Sequence, residues 1–197
     1  MMDNSESIPH EPYLIAGLGN PGRRYEHNRH NVGFMLLNRL AVELGEKFNK
    51  VEAKALVAKT IYHGERVVLV KPQTYMNNSG SPVSSLVRFY KIPLPNLLVA
   101  YDDVDLPFGV IRIRPFGGSG GQKGMQSIIE RLSSEGFPRL RLGTGRPPGR
   151  VEAADYVLQD FPGHEAELLQ ETLDRGVKAV LTFIQFGLDQ AMNLYNG

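Results

Sequence analysis

Short apolar runs and alternating stretches along the chain predict a series of β-strands. The run Tyr13-Leu14-Ile15-Ala16 ends at closely spaced glycines, which is typical of a buried strand that stops at a tight turn. Residues 96–100 form the most apolar of the predicted strands and lead directly into Tyr101-Asp102-Asp103. Further strands are predicted at 55–62, 67–70, 110–114 and 139–142, and residues 63–66 join the first two of these as a hairpin.

Apolar residues recur at helical spacing between and after these strands. The pattern predicts helices at 32–44, 81–90, 125–132, 163–186 and 188–195. Strands alternate with helices and no linker divides the chain, so the sequence predicts one α/β domain. We expect a mixed, twisted β-sheet flanked by helices on both faces, formed by residues 13–197, with residues 1–12 as a flexible N-terminal lead-in.

Composition narrows the class of protein. The chain has 197 residues, of which 42% are hydrophobic and 22% charged, as in ordinary globular proteins. No apolar run approaches the roughly 20 residues that a membrane span needs, and the first residues lack the basic-then-apolar order of a signal peptide. Zero cysteines exclude disulfides and thiolate chemistry. These features lead us to expect a cytoplasmic protein without membrane contact.

The net charge of +1 hides an asymmetry along the chain. Residues 110–150 hold eight basic and two acidic side chains, whereas residues 151–197 hold two basic and eight acidic ones. A basic segment of this kind is typical of a surface that binds a polyanion such as nucleic acid. The alternative is that the two segments neutralise each other in the folded protein.

The loop Gly17-Leu18-Gly19-Asn20-Pro21-Gly22 matches the glycine spacing of dinucleotide-binding loops. Such a loop must open a helix, so that pyrophosphate rests on the helix N-terminus, and an acidic residue must end the next strand about 20 residues later. Here Pro21 and a charged stretch follow, and the region 20 residues on is predicted to be helical. These differences argue against a nucleotide site, which stays as an alternative interpretation of the loop.

A histidine and a carboxylate are the strongest candidates for chemistry. His30 follows the glycine loop, and its imidazole can act as a general base at neutral pH if another group orients the ring. Asp102 follows a buried strand and is suited to that role. Asp102, Asp103 and Asp105 could instead form a metal site, but such sites usually need further carboxylates, so we expect structural roles for the last two. With no suitable serine or cysteine nucleophile, the attacking group would be water.

Three asparagines are candidates for holding a substrate amide, namely Asn20, Asn31 and Asn77. Their side chains carry a donor and an acceptor on one rigid group, which suits gripping a peptide and polarising a carbonyl. Asparagines beside glycines are also common turn formers, so composition alone leaves both roles open.

Several motifs together resemble one family. They are Gly17-Leu18-Gly19-Asn20-Pro21-Gly22, Tyr25, Arg29-His30-Asn31-Val32-Gly33, Lys71-Pro72-Gln73-Thr74-Tyr75-Met76-Asn77-Asn78-Ser79-Gly80 and Tyr101-Asp102-Asp103-Val104-Asp105-Leu106-Pro107. The glycine-rich loop from Gly117 and the strand Arg139-Leu140-Arg141-Leu142-Gly143 continue the series. From about Tyr13 to the C-terminal helix, the chain resembles the bacterial-type peptidyl-tRNA hydrolases.

The resemblance implies hydrolysis of the ester that joins a peptide to the 3′ ribose of tRNA, which recycles tRNA during translation. It implies a monomer that binds peptidyl-tRNA and needs no metal or organic cofactor. Carried over by motif, the catalytic residues are His30 as base, Asp102 as its orienting partner, and Asn20. The resemblance further implies that Asn20 and Asn77 hold the peptide and carbonyl, that Met76 and Tyr25 shape the pocket, and that Arg112, Arg114, Arg139 and Arg141 face tRNA phosphates.

One position departs from the family pattern. The glycine-rich loop of the family often carries His-Asn where this chain has Gln122-Lys123. Lys123 cannot accept a hydrogen bond but could grip a phosphate, and Gln122 could supply the missing amide to substrate. Two rivals stay open here: a non-catalytic RNA-binding relative of the same fold, similar to splicing factors, and a nucleotide-binding enzyme.

Overall fold

The computed structural model describes residues 11–196, and its strands form one seven-stranded sheet. The strands are β1 (Tyr13–Gly17), β2 (Lys50–Glu52), β3 (Ala55–Tyr62), β4 (Glu65–Pro72), β5 (Leu97–Asp103), β6 (Ile111–Arg114) and β7 (Arg139–Gly143). Their order is β2-β3-β4-β1-β5-β7-β6. The central strands β4, β1, β5 and β7 are parallel, while β3 and β6 run antiparallel to their neighbours. The predicted mixed sheet is therefore confirmed.

Helices cover both faces of this sheet, as predicted. They are α1 (Val32–Glu43), α2 (Gly80–Phe89), α3 (Lys123–Leu132), α4 (Ala153–Tyr156), α5 (Ala166–Phe186) and α6 (Leu188–Tyr195). Side chains alternate along each strand, so Ile15 packs in a core with α1, α5 and α6, while Leu14 and Ala16 pack in a second core with α2 and α3. One sheet with a core on each face makes a single α/β domain.

The element boundaries differ from prediction mainly at the ends. Strand β2 was not predicted, because Lys50–Glu52 is short and polar and pairs only with β3. Helix α3 begins two residues early, at Lys123, because the Gln122 side chain accepts a hydrogen bond from the Met125 backbone and caps the helix. The long C-terminal helix begins at Ala166, after a 3₁₀ turn over Gly163–Glu165.

The parallel strands bring the candidate residues to one edge of the sheet. Strands β4, β1 and β5 are neighbours, so the loops after β1 and β4 meet the last residues of β5. Gly33 lets the first turn of α1 pack directly on this edge. A Cβ at Gly33 would lie 2.5 Å from both the Ala100 oxygen and the Leu18 nitrogen, so no larger residue fits. Residues 29–31, just before α1, are thereby carried beside the end of β5.

The predicted lead-in lies almost wholly outside the described residues, since the structure begins at Glu11. Asn96 donates to the carbonyls of Glu11 and Pro12, at 3.3 and 3.4 Å. Within the described part of the chain, no helix combines the length and apolar character that crossing a membrane requires.

Candidate active site

A cleft of about 540 Å³ opens where β1, β4 and β5 end. It is lined by seven of the predicted site residues: Asn20, His30, Met76, Asn77, Asp102, Gln122 and Lys123. Its opposite wall, which the sequence did not predict, comes from residues 153–158. The cleft is large enough for a small part of an extended substrate, and the polar groups converge at its base.

His30 and Asp102 are in direct contact at the base of the cleft. His30 Nδ1 lies 2.8 Å from Asp102 Oδ2, and the side chains are 13% and 3% exposed. A carboxylate only accepts hydrogen bonds, so this contact places a proton on Nδ1 and leaves Nε2 as the acceptor. Nε2 has no protein partner within residues 11–196. The arrangement can accept a proton from a water molecule in the cleft.

Gln122, which lines the cleft, uses its amide to contact Asp102 and the start of α3. Its Nε2 donates to Asp102 Oδ1 at 3.0 Å, and its Oε1 accepts from the Met125 backbone at 2.8 Å. Both ends of the amide are therefore occupied inside the protein. The amide thus has a structural use, and its binding of substrate stays a prediction. Lys123 beside it is exposed and lines the cleft.

Asn20 is held so that half of its amide remains available. Its Oδ1 accepts from the Met76 backbone at 2.8 Å, which ties the loop after β1 to the loop after β4. The Asn31 side chain bonds the backbone N–H and carbonyl of Asn20, both at 2.9 Å. Asn31 is thus used in fixing the loop and not in contacting the cleft. Among the described residues, Asn20 Nδ2 has no partner, so it can donate into the cleft.

Two other predicted residues differ in placement. Asn77 is exposed on the cleft rim, where its amide is open to a ligand. Tyr25 is half-buried in the 3₁₀ turn Arg23–Tyr25, where its hydroxyl accepts from Arg24, and it does not line the cleft. The role of Tyr25 in substrate binding stays a prediction, with Tyr25 placed outside the cleft lining. Tyr75, which was not predicted as a site residue, lines the cleft and is 61% exposed.

The far wall of the cleft is hydrogen-bonded to the segment that carries the histidine. The His30 backbone N–H donates to the Val157 carbonyl at 2.8 Å, and the Arg29 N–H donates to the Gln159 carbonyl at 3.0 Å. The Asn28 side chain donates to the Leu158 carbonyl. These contacts join residues more than 120 positions apart, so they could not be predicted from local sequence patterns.

Arg29 is the main side-chain anchor of that wall. It is 4% exposed, donates to the Asp160 carbonyl at 2.9 Å, and forms an ion pair with Glu165 at 2.7 Å. The guanidinium also lies over the rings of Tyr156 and Phe161, at 4.5 and 4.8 Å from their centroids. Buried charges need such partners, so the wall and the histidine segment are held as one unit.

The predicted phosphate-binding arginines do not all lie on the surface. Arg139 is 2% exposed, and its guanidinium donates to the carbonyls of Gly117, Gly118, Glu135 and Phe137. Burial lowers the pKa of this guanidinium from its ordinary value. Its donors are used to hold the glycine-rich loop, so the prediction that Arg139 faces tRNA is wrong.

The other three arginines remain accessible on one face of β6 and β7. Arg114 is exposed, and Arg112 is half-buried directly opposite Arg141. Arg141 pairs with Asp103 at 2.5 Å, and this carboxylate raises the pKa of Arg141 even though burial acts in the opposite direction. Arg112 Nε is buried without a hydrogen-bond partner. Of these arginines, Arg141 is tied to the cleft through Asp103, which lines it together with Lys123. We call Arg112, Arg114, Arg141 and Lys123 the basic surface.

The charged segments do not neutralise each other through ion pairs. Within residues 11–196, the acidic C-terminal segment pairs with Arg29 and Arg39, through Glu165 and Asp174. None of its ion pairs reaches the basic segment. Asp103 and Asp105 each form an ion pair, as expected for structural residues. Asp103 pairs with Arg141, and Asp105 pairs with Arg146 at 2.7 Å. In the part of the chain described, no group of three or more potential ligands could hold a metal ion.

The glycine loop after β1 lacks the geometry of a dinucleotide site. The residues that follow Gly22 form the 3₁₀ turn Arg23–Tyr25, and the next α-helix begins only at Val32. The helix N-terminus that would hold a pyrophosphate is therefore not at the loop. This removes the observation on which the nucleotide-binding alternative rested.

Comparison with known proteins agrees with this geometry. The family model described as peptidyl-tRNA hydrolase matches residues 14–197. The chain is 49% identical to a peptidyl-tRNA hydrolase of Thermoanaerobacter sp. (strain X514) over 94% of this chain and 100% of that protein. It is 48% identical to the chloroplastic peptidyl-tRNA hydrolase of Arabidopsis thaliana over 94% of this chain and 65% of the relative. A crystal structure of peptidyl-tRNA hydrolase from Acinetobacter baumannii superposes with a TM-score of 0.89 at 34% identity, covering 97% of both chains. On the match to the family model and the extent of these identities, the chain belongs to the peptidyl-tRNA hydrolase family.

Proposed function

We propose that this protein hydrolyses the ester between peptide and tRNA in peptidyl-tRNA, and that His30 is the general base. The observation that carries the proposal is the 2.8 Å contact between His30 Nδ1 and Asp102 Oδ2 at the base of the cleft. Asp102 keeps the proton on Nδ1, so Nε2 can take a proton from water as the water attacks the ester carbonyl. The bond from that carbonyl carbon to the ribose oxygen then breaks, and the ribose oxygen takes the proton back from Nε2, which releases the peptide and the tRNA and restores the neutral imidazole.

In this proposal, the amides on the cleft wall recognise the peptide. Asn20 Nδ2 and the exposed Asn77 amide contact the peptide and the scissile carbonyl, and Met76 packs against the bound chain. Neutral amide partners suit a peptide group better than the ammonium of an aminoacyl-tRNA. A free amino group would leave buried polar atoms unpaired, so it would be disfavoured.

The basic surface binds the tRNA. We assign Arg112, Arg114, Arg141 and Lys123 to phosphates, because none of them is enclosed, Lys123 lines the cleft, and Arg141 is joined to it through Asp103. Phosphate contacts supply most of the affinity and make it salt-dependent. We further propose that residues 13–197 form the catalytic domain, and that the protein acts as a monomer in the cytoplasm. The absence of cysteine agrees with a reducing compartment.

The test is hydrolysis of an N-blocked aminoacyl-tRNA by wild type, His30→Ala and His27→Ala. His27 is an exposed histidine three residues away and serves as the matched control. We expect His30→Ala to lower kcat by at least about 100-fold with little change in tRNA affinity, and His27→Ala to resemble wild type. A His30→Ala variant as active as wild type would refute the base assignment. A wild-type protein that binds tRNA without turnover would favour the non-catalytic RNA-binding alternative.

A further inference from the structure

The Gln122 amide joins the end of β5 to the start of α3. It donates to Asp102 and accepts from the Met125 backbone, and the side chain is 8% exposed. We propose that Gln122 is a positioning residue for the reaction, which fixes the carboxylate of Asp102 and thereby the orientation of His30. This inference rests on the proposed roles of His30 and Asp102.

The orientation of the Gln122 amide is fixed by its two partners. A backbone N–H only donates, so the Met125 nitrogen must meet the amide oxygen. A carboxylate only accepts, so Asp102 must meet the amide nitrogen. Exchanging the two ends of the amide would break both contacts. Because Met125 lies in the first turn of the ten-residue helix α3, the helix holds Gln122 in a single orientation.

Gln122 and His30 each bond a different oxygen of the same carboxylate. Oδ1 of Asp102 accepts from Gln122 at 3.0 Å, and Oδ2 lies 2.8 Å from His30. Asp102 is 4% exposed, so water has little access to replace either contact. With both oxygens engaged, rotation of the carboxylate would cost a hydrogen bond at each end. The plane of the carboxylate, and with it the direction of the imidazole, is therefore set from α3.

Gln122 contacts the Asp102 carboxylate without bringing a charge to it. Besides His30, the titratable groups that line the cleft with Asp102 are Tyr75, Tyr101, Asp103 and Lys123. Asp103 is compensated by its ion pair with Arg141. Replacing the Gln122 amide by a carboxylate would add a negative charge directly against Asp102.

Gln122→Glu separates positioning from helix capping. A glutamate keeps the length and still accepts from the Met125 nitrogen, but once ionised it presents an acceptor where Asp102 needs a donor. Two carboxyl groups this close share a proton at lower pH, so kcat is measured across the alkaline range. We expect kcat to fall by about tenfold or more, KM to change by less than about twofold, and the melting temperature to stay near wild type. The loss of kcat should deepen as the pH rises, because ionisation of the glutamate removes the O–H that can still donate to Asp102.

Two further variants complete the test. Gln122→His can still donate an N–H, so we expect it to retain more of kcat than Gln122→Glu. If Gln122→Glu does not fold, kcat of Gln122→His still tests the positioning role. Gln126→Glu is the matched control, since Gln126 is exposed on the same helix and its side chain donates to Glu130 on the surface. We expect its kcat and pH profile to match wild type.

The results distinguish this inference from the proposed function. Wild-type kcat and pH profile in a folded Gln122→Glu, with His30→Ala inactive, would leave Gln122 as a helix cap only and overturn the inference alone. A raised KM with unchanged kcat would make Gln122 a substrate-binding residue and also overturn it. A fully active His30→Ala would overturn both the base assignment and the positioning role.

Discussion

Asp102→Asn is expected to inactivate the protein without disturbing its shape. The new amide has the size of the carboxylate, but it carries one donor and one acceptor. Gln122 is held as a donor toward position 102, so the oxygen of the new amide must turn to it and the nitrogen must face His30. His30 Nδ1 would then have to accept, and its proton would move to Nε2.

The magnitude follows from this change of tautomer. With a proton on Nε2, the imidazole cannot accept a proton from water, and general-base catalysis is lost in the populated state. An aspartate-to-asparagine change that produces the wrong tautomer in a histidine–carboxylate pair lowers kcat by about 10⁴-fold, or about 5 kcal/mol in the barrier. KM should change little, because the amides and arginines assigned to substrate do not contact Asp102 Oδ2.

Single-turnover hydrolysis of an N-blocked aminoacyl-tRNA measures this effect apart from product release. Asp105→Asn is the matched control, since Asp105 is 51% exposed and pairs with Arg146 on the surface. Its activity should stay within about twofold of wild type, as expected for a surface ion pair. If Asp102→Asn kept a rate within about tenfold of wild type, the carboxylate would not set the tautomer, and the reasoning would fail.

Three other perturbations test the surface, the cleft wall and the half-buried Lys71. Arg112→Ala with Arg114→Ala should raise KM and make the log–log salt dependence of tRNA binding shallower by about 1–2, as measured by titration at several salt concentrations; an unchanged slope would remove these residues from the phosphate surface. Arg29→Ala should lower the free energy of unfolding by about 2–4 kcal/mol in urea denaturation, because it removes a buried guanidinium and leaves Glu165 without its ion-pair partner. As a control, Arg23→Ala at an exposed position should lower it by less than about 0.5 kcal/mol. Burial lowers the pKa of Lys71 to about 8, so the unfolded chain binds more protons above that pH, and the free energy of unfolding should rise from pH 8 to 10.5. Lys71→Met should remove this part of the rise, and identical pH curves for the two proteins would contradict the lysine's role.

The strands and helices that build the core could be predicted from the sequence because their apolar periodicity is strong. The face of the sheet that each residue enters follows from alternation, as at Leu14 and Ile15. Short polar elements carry no such signal. Strand β2 exists because β3 offers it a free edge, which is a property of the folded sheet and not of Lys50–Glu52.

The candidate site was predictable where it depends on strand ends and unpredictable where it depends on distant loops. His30 and Asp102 meet because parallel strands deliver their ends to one edge, a rule that needs only the strand assignments. Arg139 and Arg141 have the same spacing pattern, yet one is enclosed by loop carbonyls and the other reaches the surface. Which of the two is enclosed depends on the path of residues 117–118 and 135–137, and local sequence does not encode that path.

The hydrogen bond from the His30 backbone to the Val157 carbonyl couples access to reactivity. If residues 157–160 moved away to widen the cleft, this hydrogen bond would break or would shift the His30 backbone. Either change would disturb the contact between the imidazole and Asp102. Opening of the cleft at residues 157–160 and a correctly oriented His30 are therefore incompatible. A ligand that fits only when residues 157–160 are displaced would bind to a protein whose His30 is misoriented. Selection against bulky ligands at this wall would then appear as a lower kcat as well as weaker binding.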